Sequence, residues 1–213
     1  GTIFPVLKVW GLDVWPPRHD HMPGPEALDK ARQKTGFHHY SFLEGPRIIK
    51  QRKDLRLDLS SIAKGYAVDR IVSLLRKKGF RHFVVDIGGE VYVSGQHGRK
   101  AWTVGISVPG QAGMVYRTLT LSDRAVATSG DYQKYFMFNN QRYSHIIDPR
   151  TGSPLRNQVA SVTIVAPDCT QADALATGIM VLGARDGVAL INTLPDVEGL
   201  ILVRQEDGFK ALE

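Results

Sequence analysis

The sequence predicts an α+β fold, a largely antiparallel sheet or sheets with flanking helices, and three observations carry that expectation. Short extended runs outnumber helical segments. The two kinds are not regularly interleaved, as a doubly wound parallel sheet would require. The helical segments are each followed by a glycine, at Gly36, Gly79 and Gly183, the residue that stops a helix most readily. In chain order, "WPPRHDHMPGP" (residues 15–25) reads as a Pro-rich loop, with Pro25 suited to open a helix that runs to about Lys34. Extended runs follow near 39–43 and 47–51. Over 61–78 the apolar residues Ile62, Val68, Ile71, Val72 and Leu75 recur at helical spacing. "HFVVDIGGEVYVSG" reads as two strands meeting at Gly88-Gly89, and "WTVGISV", "RTLTL", "AVATS", "KYFMF", "YSHII" and "VASVTIVA" supply further strands. A helix over 170–182 and a terminal hairpin in "GLILVRQEDGFKAL" complete the series.

The 213 residues suffice for one large core, and the whole of 1–213 is expected to form a single domain. Apolar residues at 43% and charged residues at 23% are ordinary for a globular protein. No apolar run approaches the roughly 18–20 residues of a membrane span. The opening "GTIFPVLKVWGL" lacks the pattern of a signal peptide and reads as the interior of a domain. The formal charge of +6 is spread out, with clusters at 47–56 and 76–78, and no recognisable nucleic-acid-binding module accompanies it. Such a surface suits a phosphate-bearing ligand or an anionic membrane face equally well. Cys169 is the single cysteine, so no internal disulfide can form, and it is expected to be a small buried residue rather than a nucleophile.

Five short stretches could carry chemistry. "LDLSSIAKGYAVDR" (57–70) crowds a carboxylate, two hydroxyls and Lys64 at a helix entry, where unpaired backbone N–H groups favour anions. The alternative is a cap, with Asp58, Ser60 or Ser61 closing the helix and Lys64 reaching to water. The Gly88-Gly89 pair permits close backbone approach, to a ligand or simply in a tight turn, and lacks the third glycine and following helix of a dinucleotide fingerprint. "ATSGDY" (127–132) is similarly a strand end running into a turn. In "QADALATG" (171–178), Asp173 and Thr177 are four apart and share a helix face. Their oxygens suit Mg²⁺ or Ca²⁺ rather than zinc. The alternative is a solvent-facing aspartate in the first helical turn. In "SHIIDPRTG" (144–152), His145 precedes an Asp-Pro turn, as a functional imidazole or as mere strand decoration.

Taken in order, "VWG" (9–11), "LDLSSIAKGYAVDR" (57–70), "VVDIGGEVYVSG" (84–95), "AVATSGDYQKYF" (125–136), "HIIDPRTGSPL" (145–155) and "ADALATGIMVLG" (172–183) closely resemble the ApbE-type FAD:protein FMN transferases. The resemblance spans nearly the whole chain. It implies an ApbE-like, T-fold-related flavin transferase domain that moves the FMN half of FAD onto a threonine of a target protein, releasing AMP. It implies that Asp58, Lys64 and the backbone around Ile147 contact FAD. It also implies that Asp173, Thr177 and the main-chain carbonyl of Ser61 hold Mg²⁺, and that His145 is the base for the incoming threonine. The partners it implies are FAD and threonine-containing acceptors in membrane redox complexes, and the location is the periplasm or cell envelope. Family members usually carry about a hundred further residues ahead of the point where this chain begins. Ala176 stands where some relatives have a second aspartate, which leaves one metal ion or two open. Hydrolysis of FAD to FMN and AMP, or non-enzymatic FAD binding and delivery, remain the alternative functions.

Overall fold

The computed structural model of the chain describes residues 2–14, 22–132 and 134–213; most of the Pro-rich run, residues 15–21, lies outside them. The chain begins with helices α1 (Phe4–Val9) and α2 (Pro25–Arg32), strands β1 (Tyr40–Leu43) and β2 (Arg47–Lys50), and helix α3 (Ala63–Lys77). Strands β3 (Phe83–Ile87), β4 (Glu90–Ser94), β5 (Gln96–His97), β6 (Lys100–Ser107), β7 (Val115–Leu121) and β8 (Arg124–Gly130) come next. They are followed by β9 (Tyr135–Phe138), β10 (Gln141–Ser144), β11 (Ile147–Asp148), β12 (Ser153–Pro154) and β13 (Val159–Ala166). Helices α4 (Cys169–Leu182) and α5 (Ala184–Ile191) and strands β14 (Glu198–Gln205) and β15 (Gly208–Leu212) close the chain. Every strand pairing among the described residues is antiparallel, so the fold is α+β as the element order predicts. Two helices escape the periodicity argument. The α1 helix has only six residues with a proline in its first turn, and α5 is interrupted by Gly187. A Cβ on Gly187 would lie 2.5 Å from Ile179 Cγ2, so glycine is what lets α5 close onto α4.

Contacts group the chain into two compact units, one of Gly1–Leu59 with Lys134–Arg156, the other of Ser60–Gln133 with Asn157–Glu213. The second unit is built on a six-stranded sheet in the order β15-β14-β13-β8-β4-β3. Its strand β13 is buried along its whole length, and the alternation of its neighbour β14 shows which element covers each face. Leu200 and Leu202 meet Ile106, Tyr116 and Leu119 of β6 and β7, whereas Ile201 between them lies close to Gly187 of α5. The α3 helix buries Gly65, Val68 and Val72, a one-sided stripe at helical spacing.

The first unit gathers Val6, Trp10, Ala31, Phe136, Tyr143 and Ile147 into its own core. Phe136 and Tyr143 stack at 5.1 Å, and Trp10 lies 6.1 Å from Tyr143, a geometry that adds about 0.5–1.5 kcal/mol per pair beyond burial alone. Here the strand expected through "YSHII" is corrected: β10 ends at Ser144 and β11 starts at Ile147, leaving His145 in the bend between them. A continuous strand would send residues 143, 145 and 147 to one face, driving the imidazole into the core beside buried Tyr143 and Ile147. Ser144 Oγ instead accepts the Ile146 N–H at 3.1 Å, and this local bond supports the bend.

Candidate active site

The second unit's polar centre forms where α3 begins. A helix leaves its first N–H groups without internal partners, and Ile62, at the N-cap of α3, offers no side-chain hydrogen bond to them. The cap comes from afar: Asp173 Oδ2 on α4 accepts the Gly65 N–H at 3.0 Å. That N–H is the one a longer helix would send to the Ser61 carbonyl four residues back; here it is directed to Asp173. Only glycine permits the approach, because a Cβ at position 65 would stand 2.3 Å from the Cys169 carbonyl oxygen and 2.9 Å from Asp173 Cβ. Asp173 is 4% exposed, so it is not the solvent-facing aspartate of a helix start. Burial pushes its carboxyl above the usual range, opposed by the Gly65 N–H and by Lys64.

One turn further along α3, Asp69 fixes the partner helix. Its carboxylate accepts the N–H groups of Cys169 and Thr170, each at 2.8 Å, and the Thr170 hydroxyl at 2.5 Å. Asp168 accepts the Gln171 N–H at 2.8 Å, so the first three N–H groups of α4 end on two carboxylates. One turn beyond Asp173, Thr177 exchanges a hydrogen bond with Ser129 of β8 at 3.1 Å. Cys169 is fully buried and burial pushes its thiol well up, which makes it inert as a nucleophile.

Lys64 meets a residue the motifs did not single out. Its ammonium lies 2.5 Å from Oε2 of Glu90, a carboxylate only 2% exposed. An ammonium this close to a carboxylate oxygen donates to it as well as attracting it by charge. Burial pushes the Glu90 carboxyl up, Lys64 draws it down, and the negative charge of Asp173 adds to the rise. The signal for Glu90 was the alternation of "EVYVS": it shares a face with Tyr92, whose hydroxyl accepts from Arg76 of α3 at 2.8 Å. Asp69 and Ser129 were likewise missed. Asp69 stands four residues after Gly65 on the same helix face, a spacing visible in the sequence, and Ser129 lies in "ATSGDY", where a strand end running into a turn was its only local signal.

In the first unit, His145 Nδ1 lies 2.7 Å from the Lys134 carbonyl oxygen. A carbonyl only accepts, so Nδ1 carries the proton and Nε2 of the neutral ring carries the lone pair. The turn behind it is braced from several sides. Trp10 Nε1 of "VWG" donates to the Gly152 carbonyl at 2.7 Å, and Arg32 donates to the Arg150 carbonyl at 2.6 Å. Asp148 accepts from the Arg150 guanidinium at 2.8 Å, which holds its carboxyl below the usual range. Ile147 places its side chain in the core and its backbone in a two-stranded ladder with Pro154. Asp58 is half-buried, outside any helix or strand, in the same unit. The seven residues named from the resemblance therefore divide, with Asp58, His145 and Ile147 in the first unit and Ser61, Lys64, Asp173 and Thr177 in the second.

Among the described residues no three His, Cys, Asp or Glu side chains converge as a metal cluster, so a nitrogen- or sulfur-rich centre is not built here. The oxygen donors at the α3–α4 contact do fit a hard cation, since Asp173 is a buried carboxylate whose negative charge an ion would compensate.

A model of the ApbE family matches residues 1–201. The chain belongs to the ApbE family. It is 39% identical over 211 residues to a FAD:protein FMN transferase of Vibrio cholerae serotype O1, covering 98% of this chain and 62% of that protein. A second FAD:protein FMN transferase, from Salmonella typhimurium, is 32% identical, with 98% of this chain and 61% of that protein covered. The flavin transferase ApbE structure from Vibrio cholerae superposes with a TM-score of 0.86 at 38% identity, over 99% of this chain and 67% of that one. The ApbE fold is thus present across the chain, which spans about three fifths of the length of these curated relatives.

Proposed function

We propose that the chain carries the catalytic part of a Mg²⁺-dependent FAD:protein FMN transferase acting on a threonine of a target protein. The observation that supports this best is the Asp173–Gly65 contact, which sets a buried carboxylate beside a cationic helix entry where a diphosphate and its metal ion would be held. Curated relatives named for this activity support the same reading. Asp173, Thr177 and the Ser61 carbonyl hold the metal, which neutralises phosphate charge when bound. Lys64 and Asp58 bind FAD, and the backbone around Ile147 contributes to the same task. His145 Nε2 takes the proton from the acceptor threonine hydroxyl; the threonine oxygen bonds to the FMN phosphorus, the phosphoanhydride bond breaks, and AMP leaves. The acceptors are subunits of membrane redox complexes and the location is the periplasm or cell envelope; no helix among the described residues is long and apolar enough to cross a membrane.

Incubating the protein with FAD and Mg²⁺, with and without a threonine-bearing acceptor, separates this reading from the others. Covalently flavinylated acceptor supports the transferase, free FMN and AMP alone support a hydrolase, and unchanged FAD supports a carrier.

A further inference from the structure

We propose that Glu90 is a positioning residue: its buried carboxylate holds the Lys64 ammonium in place for an anionic phosphate ligand. The proposal rests on the reading that Lys64 meets the phosphates of FAD.

The geometry fixes Lys64 at both ends. Its head lies 2.5 Å from Glu90 Oε2, while its side chain keeps 44% of its surface exposed against 3% for Glu90. Its stem runs past the Gly88-Gly89 turn, where a Cβ at position 88 would lie 3.7 Å from Lys64 Cδ and 4.0 Å from Glu90 Oε2. Both glycines take positive φ, +65° and +98°, so the turn closes in two residues and Glu90 follows it directly. Glu90 is therefore held at the first position of β4, paired with Ile87 across the hairpin. A lysine is a point charge on a flexible stem, and without a fixed partner it would have to be ordered when its ligand binds. A carboxylate as buried as Glu90 leaves the exposed side of the ammonium to the ligand and takes the inner side itself. A surface ion pair could not do this, since both groups would be free to swing away.

The test compares wild type, Glu90→Gln, Lys64→Met and the double variant, all as the natural protein. FAD affinity is read from flavin fluorescence. Lys64 accessibility is read without FAD from its rate of acylation by an amine-reactive ester, mapped by mass spectrometry. Glu90→Gln is expected to weaken FAD binding roughly tenfold, the scale of one ordered charge contact. In the Lys64→Met background the same change is expected to alter affinity by less than about twofold, because the effect passes through Lys64. Lys64 acylation is expected to rise several-fold in Glu90→Gln as the head is released. Unchanged FAD affinity, an equal loss in both backgrounds, or unchanged acylation each overturns the proposal. So does loss of the near-UV circular dichroism of Glu90→Gln, which would assign the carboxylate to the fold. Should the wild type bind no FAD, the transferase reading fails, and the acylation rates still decide whether Glu90 positions Lys64.

Discussion

Replacing Gly65 by alanine adds one methyl group at the tightest point between α3 and α4. By helix propensity alone the change should stabilise α3 by up to about 1 kcal/mol, and less in the first turn. The contacts reverse that sign. The new Cβ would meet the Cys169 carbonyl oxygen at 2.3 Å and its carbon at 2.7 Å, where carbon–oxygen contacts ordinarily begin near about 3.3 Å. The obstructing atoms belong to the backbone of the first turn of α4, and that turn is pinned by Asp69 and Asp168. It cannot rotate aside as a side chain would. Relief requires the two helices to part by on the order of 1 Å, which falls among overpacking changes of about 1–3 kcal/mol. Against the propensity gain the net loss is about 1–2 kcal/mol, or a fall in Tm of roughly 2–8 °C for a protein of this size. The same shift stretches the 3.0 Å bond from Gly65 to Asp173, so the Mg²⁺ concentration needed for half-maximal transfer should rise at least several-fold. Thermal unfolding by circular dichroism and a Mg²⁺ titration of transfer rate measure both effects. A Tm equal to or above wild type would refute the reasoning, since propensity would then have outweighed the clash.

Asp173→Asn keeps an acceptor for the Gly65 N–H and removes a buried charge, so Tm measured without metal should not fall, while transfer drops by orders of magnitude and excess Mg²⁺ restores only part of it; wild-type activity in micromolar Mg²⁺ would exclude Asp173 as a ligand. His145→Ala should leave FAD affinity nearly unchanged and slow transfer roughly 10²- to 10⁴-fold, the usual contribution of a positioned base. A rate within a few-fold of wild type, with normal FAD binding, would remove the base assignment. Asp148 contributes to acid stability with a defined sign: its folded pKa lies below the unfolded value, so its contribution is present above the unfolded pKa and fades as pH falls through the folded one. The Tm gap between wild type and Asp148→Asn should therefore be widest at neutral pH and close below about pH 4, as a pH series of melting curves would show.

The sequence by itself determined the class of fold, the order of nearly all the elements and the family, because periodicity, glycine stops and short motifs are local properties of the chain. Segments such as "VASVTIVA" and "ADALATGIMVLG" carry a single dominant pattern, and each became one strand or one helix. It also placed Asp173 and Thr177 on a shared helix face, since four-residue spacing fixes that without reference to anything distant. The tertiary structure decided what those residues meet. Whether Asp173 faced water or a helix entry depended on Gly65, over a hundred residues away in the chain, and on the absence of a methyl group there. Glu90 looked like any charged residue after a Gly-Gly turn until its strand was laid beneath α3, which buried it and gave it Lys64 as a partner. His145 sat in an apparent strand until packing of Tyr143 and Ile147 into one core forced a bend between them. The physical reason is the same each time: backbone geometry follows near neighbours, whereas burial, charge pairing and close approach depend on which distant segments the fold sets side by side.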